Sequence, residues 1–116
     1  MSTFQSLKRR LLFACAWGAL LGATTGEAHA APAVIAIERY AFAAAEITVA
    51  PGTTVEWVNR DETPHNIVSA DRLFASKGLD TGDRFAFAFD REGDYTYFCA
   101  LHPFMTGIVH VRRRGT

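Results

Sequence analysis

Three observations predict an all-β chain folded as a Greek-key antiparallel β-sandwich. Short runs rich in β-branched and aromatic residues recur along it, turn-forming residues separate those runs, and no stretch beyond residue 30 shows helical periodicity.

The first thirty residues stand apart from this pattern. Lys8-Arg9-Arg10 precedes an apolar run over residues 11–23, and small residues follow at Ala28-His29-Ala30. That is the three-part layout of a secretory signal, cut after Ala30. A run of about 13 apolar residues falls short of the roughly 20 that span a bilayer. Residues 1–30 are therefore expected to be a signal peptide, residues 31–116 one small domain, and the destination the periplasm. Arg9-Arg10 before Leu11-Leu12-Phe13 also permits a twin-arginine route.

Beyond residue 30 each element has a local reason. Val34, Ile35 and Ile37 are β-branched, Glu46-Ile47-Thr48-Val49 repeats the pattern, and Pro51-Gly52 turns the chain. In Thr53 to Asn59, Val55 and Trp57 fall on one face, a period of two that buries one side. The polar run Asn59 to Pro64 reads as a loop delivering His65 to a strand over residues 65–68. Residues 69–82 hold few apolar anchors and read as a long connection with one helical turn. Phe85, Phe87 and Phe89 share a face and are expected to pack three rings into the core. Tyr95, Tyr97 and Cys99 share another, and residues 107–111 form the last strand. His110 on that strand reads as structural, and Arg112-Arg113-Arg114 as a solvated tail.

Charge excludes one class of partner. Nine basic and eleven acidic residues beyond residue 30 give a net of about −2, with no basic field for nucleic acid. The domain is expected to be a monomer with no membrane association.

Beyond the leader the chain keeps a single cysteine, Cys99, and a single methionine, Met105, with His102 midway between them. An odd cysteine in an exported chain points to a thiol with a task. Thiolate, imidazole and thioether at steps of three form a donor set that selects copper over calcium or magnesium. His65, in Pro64-His65-Asn66, supplies the second imidazole of a His₂Cys site with a weak axial Met. The candidate metal ligands are thus His65, Cys99, His102 and Met105.

The run Tyr95-x-Tyr97-x-Cys99-x-x-His102-Pro103-Phe104-Met105-x-Gly107, with Pro64-His65-Asn66 and Trp57-Val58-Asn59-Arg60 upstream, resembles the amicyanins among the plastocyanin/azurin-type cupredoxins. The resemblance covers nearly all of residues 31–116. In one departure, Ala100-Leu101 stands where the family usually has a polar residue and then proline. The resemblance implies one type 1 copper ion cycling between Cu(II) and Cu(I), and electron transfer rather than enzyme catalysis. It implies redox proteins as partners: an amine dehydrogenase as donor and a c-type cytochrome as acceptor. It further implies that Asn66 ties two loops together and gives its N–H to the Cys99 sulfur, and that Pro103 stiffens the loop. Leu101, Pro103, Phe104 and Pro64 would surround an exposed edge of His102.

Other functions fit less well. An oxidase or nitrite reductase needs further copper ions on additional histidines, and residues 31–116 hold only His65, His102 and His110. Structural zinc takes four Cys, His or carboxylate ligands, and Met105 is none of these. A Cys99–His65 nucleophilic pair lacks a recognisable orienting residue, and no Cys-x-x-Cys-His run attaches haem. Copper storage or delivery is the alternative that uses the same ligands.

Overall fold

The computed structural model describes residues 31–115, and the expected leader lies outside the described residues. Strands β1 (Ala33–Glu38), β2 (Ala41–Ala43), β4 (Thr53–Asn59) and β6 (Arg84–Phe89) form one sheet in the order β2-β1-β4-β6. Strands β3 (Glu46–Val49), β5 (Val68–Ser69), β7 (Gly93–Phe98) and β8 (Thr106–Val111) form the other, in the order β3-β8-β7-β5. The expected β-sandwich is there, with one difference in its pairing: β1–β4 and β3–β8 are parallel. In both cases the chain visits the opposite sheet at least once before it reaches the second strand of the pair. A tight hairpin is not the connection, and the partners are free to run the same way.

Alternation builds the core. Ile35 and Ile37 of β1 and Val55 and Trp57 of β4 meet Tyr97, Val109 and Val111 of the other sheet, all within 1% of full burial. Trp57 lies among rings, 5.3 Å from Tyr97 and 5.8 Å from both Phe74 and Phe85. Of the three β6 phenylalanines, Phe89 is buried, while Phe85 and Phe87 are half-buried and packed against the core.

The connection from 69 to 82 contains no helical turn. It is pinned instead by local bonds: the Ser69 hydroxyl accepts the Phe74 N–H at 2.9 Å, and the Ser76 hydroxyl accepts the Ile67 N–H at 2.9 Å. Those bonds bury Phe74 and Leu79, two anchors within a run that the sequence marks as polar. The strand expected over residues 65–68 is displaced. His65 pairs with Leu79 in an isolated bridge, and β5 starts only at Val68. The Asn66 N–H between them is turned toward Cys99, so no regular ladder can run through it.

Gly107 shows why the motif after Met105 carries a glycine. A Cβ there would come within 2.3 Å of the Tyr97 ring and hydroxyl. The tyrosine lies directly on the β8 backbone.

Candidate metal centre

Cys99 follows the last residue of β7, and the steps of three become two successive turns. The His102 N–H donates to the Cys99 carbonyl at 3.2 Å, and the Met105 N–H to the His102 carbonyl at 2.9 Å. A third bond, from the Cys99 N–H to the Met105 carbonyl at 3.1 Å, closes the loop on itself. Each turn places its first and last residues on the same side. Cys99 and Met105 are buried, and His102 is half-buried.

His65 arrives from the other side on a loop braced from below. The fully buried Asn59 amide donates to the carbonyls of Leu79 at 2.8 Å and Thr63 at 3.0 Å, and its oxygen accepts the Asp61 N–H at 3.0 Å. Three bonds from one side chain fix the backbone leading into His65 and the Leu79 segment paired with it. The His65 N–H and carbonyl are taken by Leu79, at 3.1 and 2.7 Å. His65 itself is fully buried.

The two loops bring three donors together. His65 Nδ1 lies 3.1 Å from His102 Nδ1, and both nitrogens lie 3.8 Å from Cys99 Sγ. All three ligand atoms fall within 4.8 Å of one another. Bonds of about 2.0 Å from nitrogen and about 2.3 Å from thiolate sulfur span such separations around one ion. His65 Nε2 sits 2.8 Å from Asp61 Oδ2, a contact that suits a proton on Nε2 and leaves Nδ1 to face the other donors. The Asn66 N–H points at Cys99 Sγ at 3.4 Å, and Asn66 Oδ1 accepts the Ala100 N–H at 2.7 Å, tying the two loops as the resemblance implies. The donor set and its spacing fit copper.

The sequence reading missed two residues beside the site. Asp61 lies four residues before His65, in a run that reads as a polar loop. Its carboxylate accepts His65 Nε2–H and the backbone N–H groups of Arg39 at 2.7 Å and Tyr40 at 2.9 Å. Burial pushes the Asp61 carboxyl up, but the Tyr40 N–H, the His65 ring and the Arg39 N–H outweigh it and hold it below its ordinary value. Tyr40 is the other. It belongs to the two-residue connection of the β1–β2 hairpin and stands perpendicular to His65 and His102, with centroids 5.3 and 5.0 Å away. A search for Asp-x-x-x-His, once His65 is suspected, would find Asp61. Tyr40 is brought in only by tertiary structure.

Leu101 and Phe104 are 52% and 71% exposed and flank His102, and Pro103 and Pro64 are exposed as well. His110 lies elsewhere, on β8, with Nδ1 on Asp94 and Nε2 on Glu46. The arginine run is not wholly a free tail: Arg112 pairs with Asp94 and Arg113 with Glu92.

A thiol and two imidazoles gathered at one end of a two-sheet β-sandwich define a copper-binding protein of the cupredoxin fold. The model of the copper binding proteins, plastocyanin/azurin family, matches residues 30–112, and the chain belongs to that family. It is 35% identical to amicyanin from Paracoccus versutus over 83 residues, which is 67% of this chain and 63% of that protein. Amicyanin from Paracoccus denitrificans is 31% identical over the same shares. The chain thus spans a little under two thirds of the length of these relatives. Among solved structures, a purple cupredoxin from Nitrosopumilus maritimus superposes with a TM-score of 0.66 at 38% identity, covering 69% of this chain and 99% of that one. A copper-containing nitrite reductase from Thermus scotoductus gives a TM-score of 0.69 at 27% identity, covering 78% of this chain but 24% of the enzyme.

Proposed function

We propose that this chain is a periplasmic type 1 copper electron-transfer protein of the amicyanin kind, with His65, Cys99, His102 and Met105 as its ligands. The observation that carries this reading is the meeting of three donor atoms from two separately braced loops. Bound copper supplies a one-electron Cu(II)/Cu(I) couple. The residues supply the rest. Cys99 gives a buried thiolate whose charge is met by the Asn66 N–H, and the two imidazoles give neutral nitrogens. Met105, buried at the end of the second turn, would add a weakly held thioether sulfur. The hydrogen-bonded turns and the Asn59 brace keep the donors in one arrangement, so little has to move when an electron arrives.

Electrons pass at the half-exposed His102, in a patch formed with Leu101, Phe104 and Tyr40. Such patches suit brief redox encounters that bury less than about 1,200 Å². In this reading the leader is removed after Ala30 and residues 31–116 act as a monomer. An amine dehydrogenase and a c-type cytochrome are the partner classes. A carrier is favoured over an enzyme because the one further histidine beyond residue 30, His110, is held by two carboxylates. Among the described residues one metal-binding group is present, and no helix is long and apolar enough to cross a membrane.

The test is the visible spectrum of the Cu(II)-loaded protein, followed by voltammetry and challenge with a mild chelator. An intense thiolate-to-copper band, reversible cycling and slow loss of metal support a carrier. Rapid loss of metal would favour storage or delivery, and a colourless Cu(II) protein would overturn the type 1 site.

A further inference from the structure

His65 and His102 are held in different ways. A metal-binding imidazole nearly always has a polar partner on its other nitrogen, which fixes the ring. His65 has Asp61. Among the described residues no hydrogen bond reaches His102 Nε2: the polar contacts of that ring are His65 Nδ1 and Cys99 Sγ, both through Nδ1. Within the protein, what this half-exposed ring has in place of such a bond is ring packing.

Tyr40 supplies it. Its ring stands at 89° to both imidazoles, and its hydroxyl is 2.8 Å from Thr63 Oγ1, two residues before His65. Phe104 closes on the His102 ring from 6.1 Å. The backbone that presents Tyr40 is unusual. Arg39 and Tyr40 have φ of 52° and 56°, as a two-residue hairpin turn requires, where asparagine and glycine are the favoured residues. Asp61 accepts the N–H of both, so the carboxylate that orients His65 also holds the turn that delivers Tyr40.

We propose that Tyr40 is a positioning residue for the copper centre, holding the half-exposed His102 ring so that Nδ1 stays aimed at the position shared with His65 and Cys99. This rests on His65 and His102 being ligands, as proposed above. The aromatic ring is the working part, and the hydroxyl bond to Thr63 is a brace.

The experiment compares wild type with Tyr40→Ala, Tyr40→Leu and Tyr40→Phe in three measurements. The first is the rate at which a chelator strips copper, the second is the visible and EPR spectrum with Cu(II), and the third is NMR relaxation of the His65 and His102 rings without metal. Tyr40→Ala and Tyr40→Leu should lose copper about tenfold faster, the scale seen when an outer partner of a ligand is removed. Both should alter the spectrum and loosen the His102 ring while leaving His65 ordered. Tyr40→Phe should stay near wild type. Leucine fills similar space without an aromatic ring and stands in if the alanine variant does not fold. If the leucine variant matches wild type in stripping rate, spectrum and ring order, the proposal fails; equal losses in the leucine and phenylalanine variants also overturn it. A wild-type protein without the blue band would instead remove the ligand assignment, and Tyr40's role with it.

Discussion

Two histidines of this domain sit beside carboxylates, and their fates differ. His65, at the metal end, gives one nitrogen to Asp61 and turns the other toward His102 and Cys99. His110, near the end of β8, gives Nδ1 to Asp94 and Nε2 to Glu46, with Arg112 also on Asp94. One carboxylate fixes a tautomer and leaves a lone pair for a metal. Two carboxylates take both nitrogens and favour the imidazolium, leaving no lone pair to bind with. The number of nitrogens taken by carboxylates separates the proposed ligand from the strut.

Substitutions can break this contrast, beginning where the effect is greatest. Cys99→Ser should abolish the intense visible band, since no other thiol exists beyond residue 30; absorption of the Cu(II) protein checks it. Asp61→Ala removes the partner of His65 Nε2 and one anchor of the β1–β2 turn. Copper affinity should fall by about 10–100-fold, read by competition with a calibrated chelator. Gly107→Ala acts where β8 leaves the metal loop toward His110. Driving a methyl group into the Tyr97 ring should cost about 1–3 kcal/mol in urea unfolding. Met105→Leu should keep the colour and shift the potential, because an axial thioether tunes the ion more than it holds it. A Met105→Ala variant with unchanged potential and spectrum would remove Met105 from the site.

The smallest effect is at the other histidine and depends on pH. Hydrogen bonds to Asp94 and then Glu46 raise the His110 pKa above its ordinary 6.5. Its contribution to stability is therefore full below about pH 6.5 and is lost as pH rises through the raised value. The His110 and then Arg112 side chains hold the Asp94 carboxyl below 3.8, so its share is present above about pH 3.8 and lost as pH falls through the lowered value. His110→Gln should destabilise most between about pH 4 and 6.5 and hardly at all at pH 9, as measured by denaturant titration. The size is modest because the cluster faces solvent.

Much of this was legible in the sequence because the signals are local. Val55 with Trp57, the phenylalanines of β6 and the spacing of Cys99, His102 and Met105 each lie within a few residues. Their faces follow from strand period and turn length. The linkage of the Asn66 loop to Cys99 followed from family resemblance, and its bonds are in place. What escaped is what two distant segments make together. Strand direction in β1–β4 and β3–β8 depends on how the chain passes between sheets. Phe74 and Leu79 look like scattered apolar residues until Ser69 and Ser76 fold their loop inward. Asp61 reads as loop polarity until its carboxylate is seen to join His65 to the β1–β2 turn, and Tyr40 lies 25 residues before the ligand it faces.

The central claim is that His65, although far in sequence from the Cys99 loop, shares one ion with Cys99 and His102. Anomalous diffraction from the copper-loaded protein at the copper absorption edge tests it most directly. A single peak within bonding distance of His65 Nδ1, His102 Nδ1 and Cys99 Sγ is the expected result. A peak that leaves out His65, or lies away from Cys99, would contradict it.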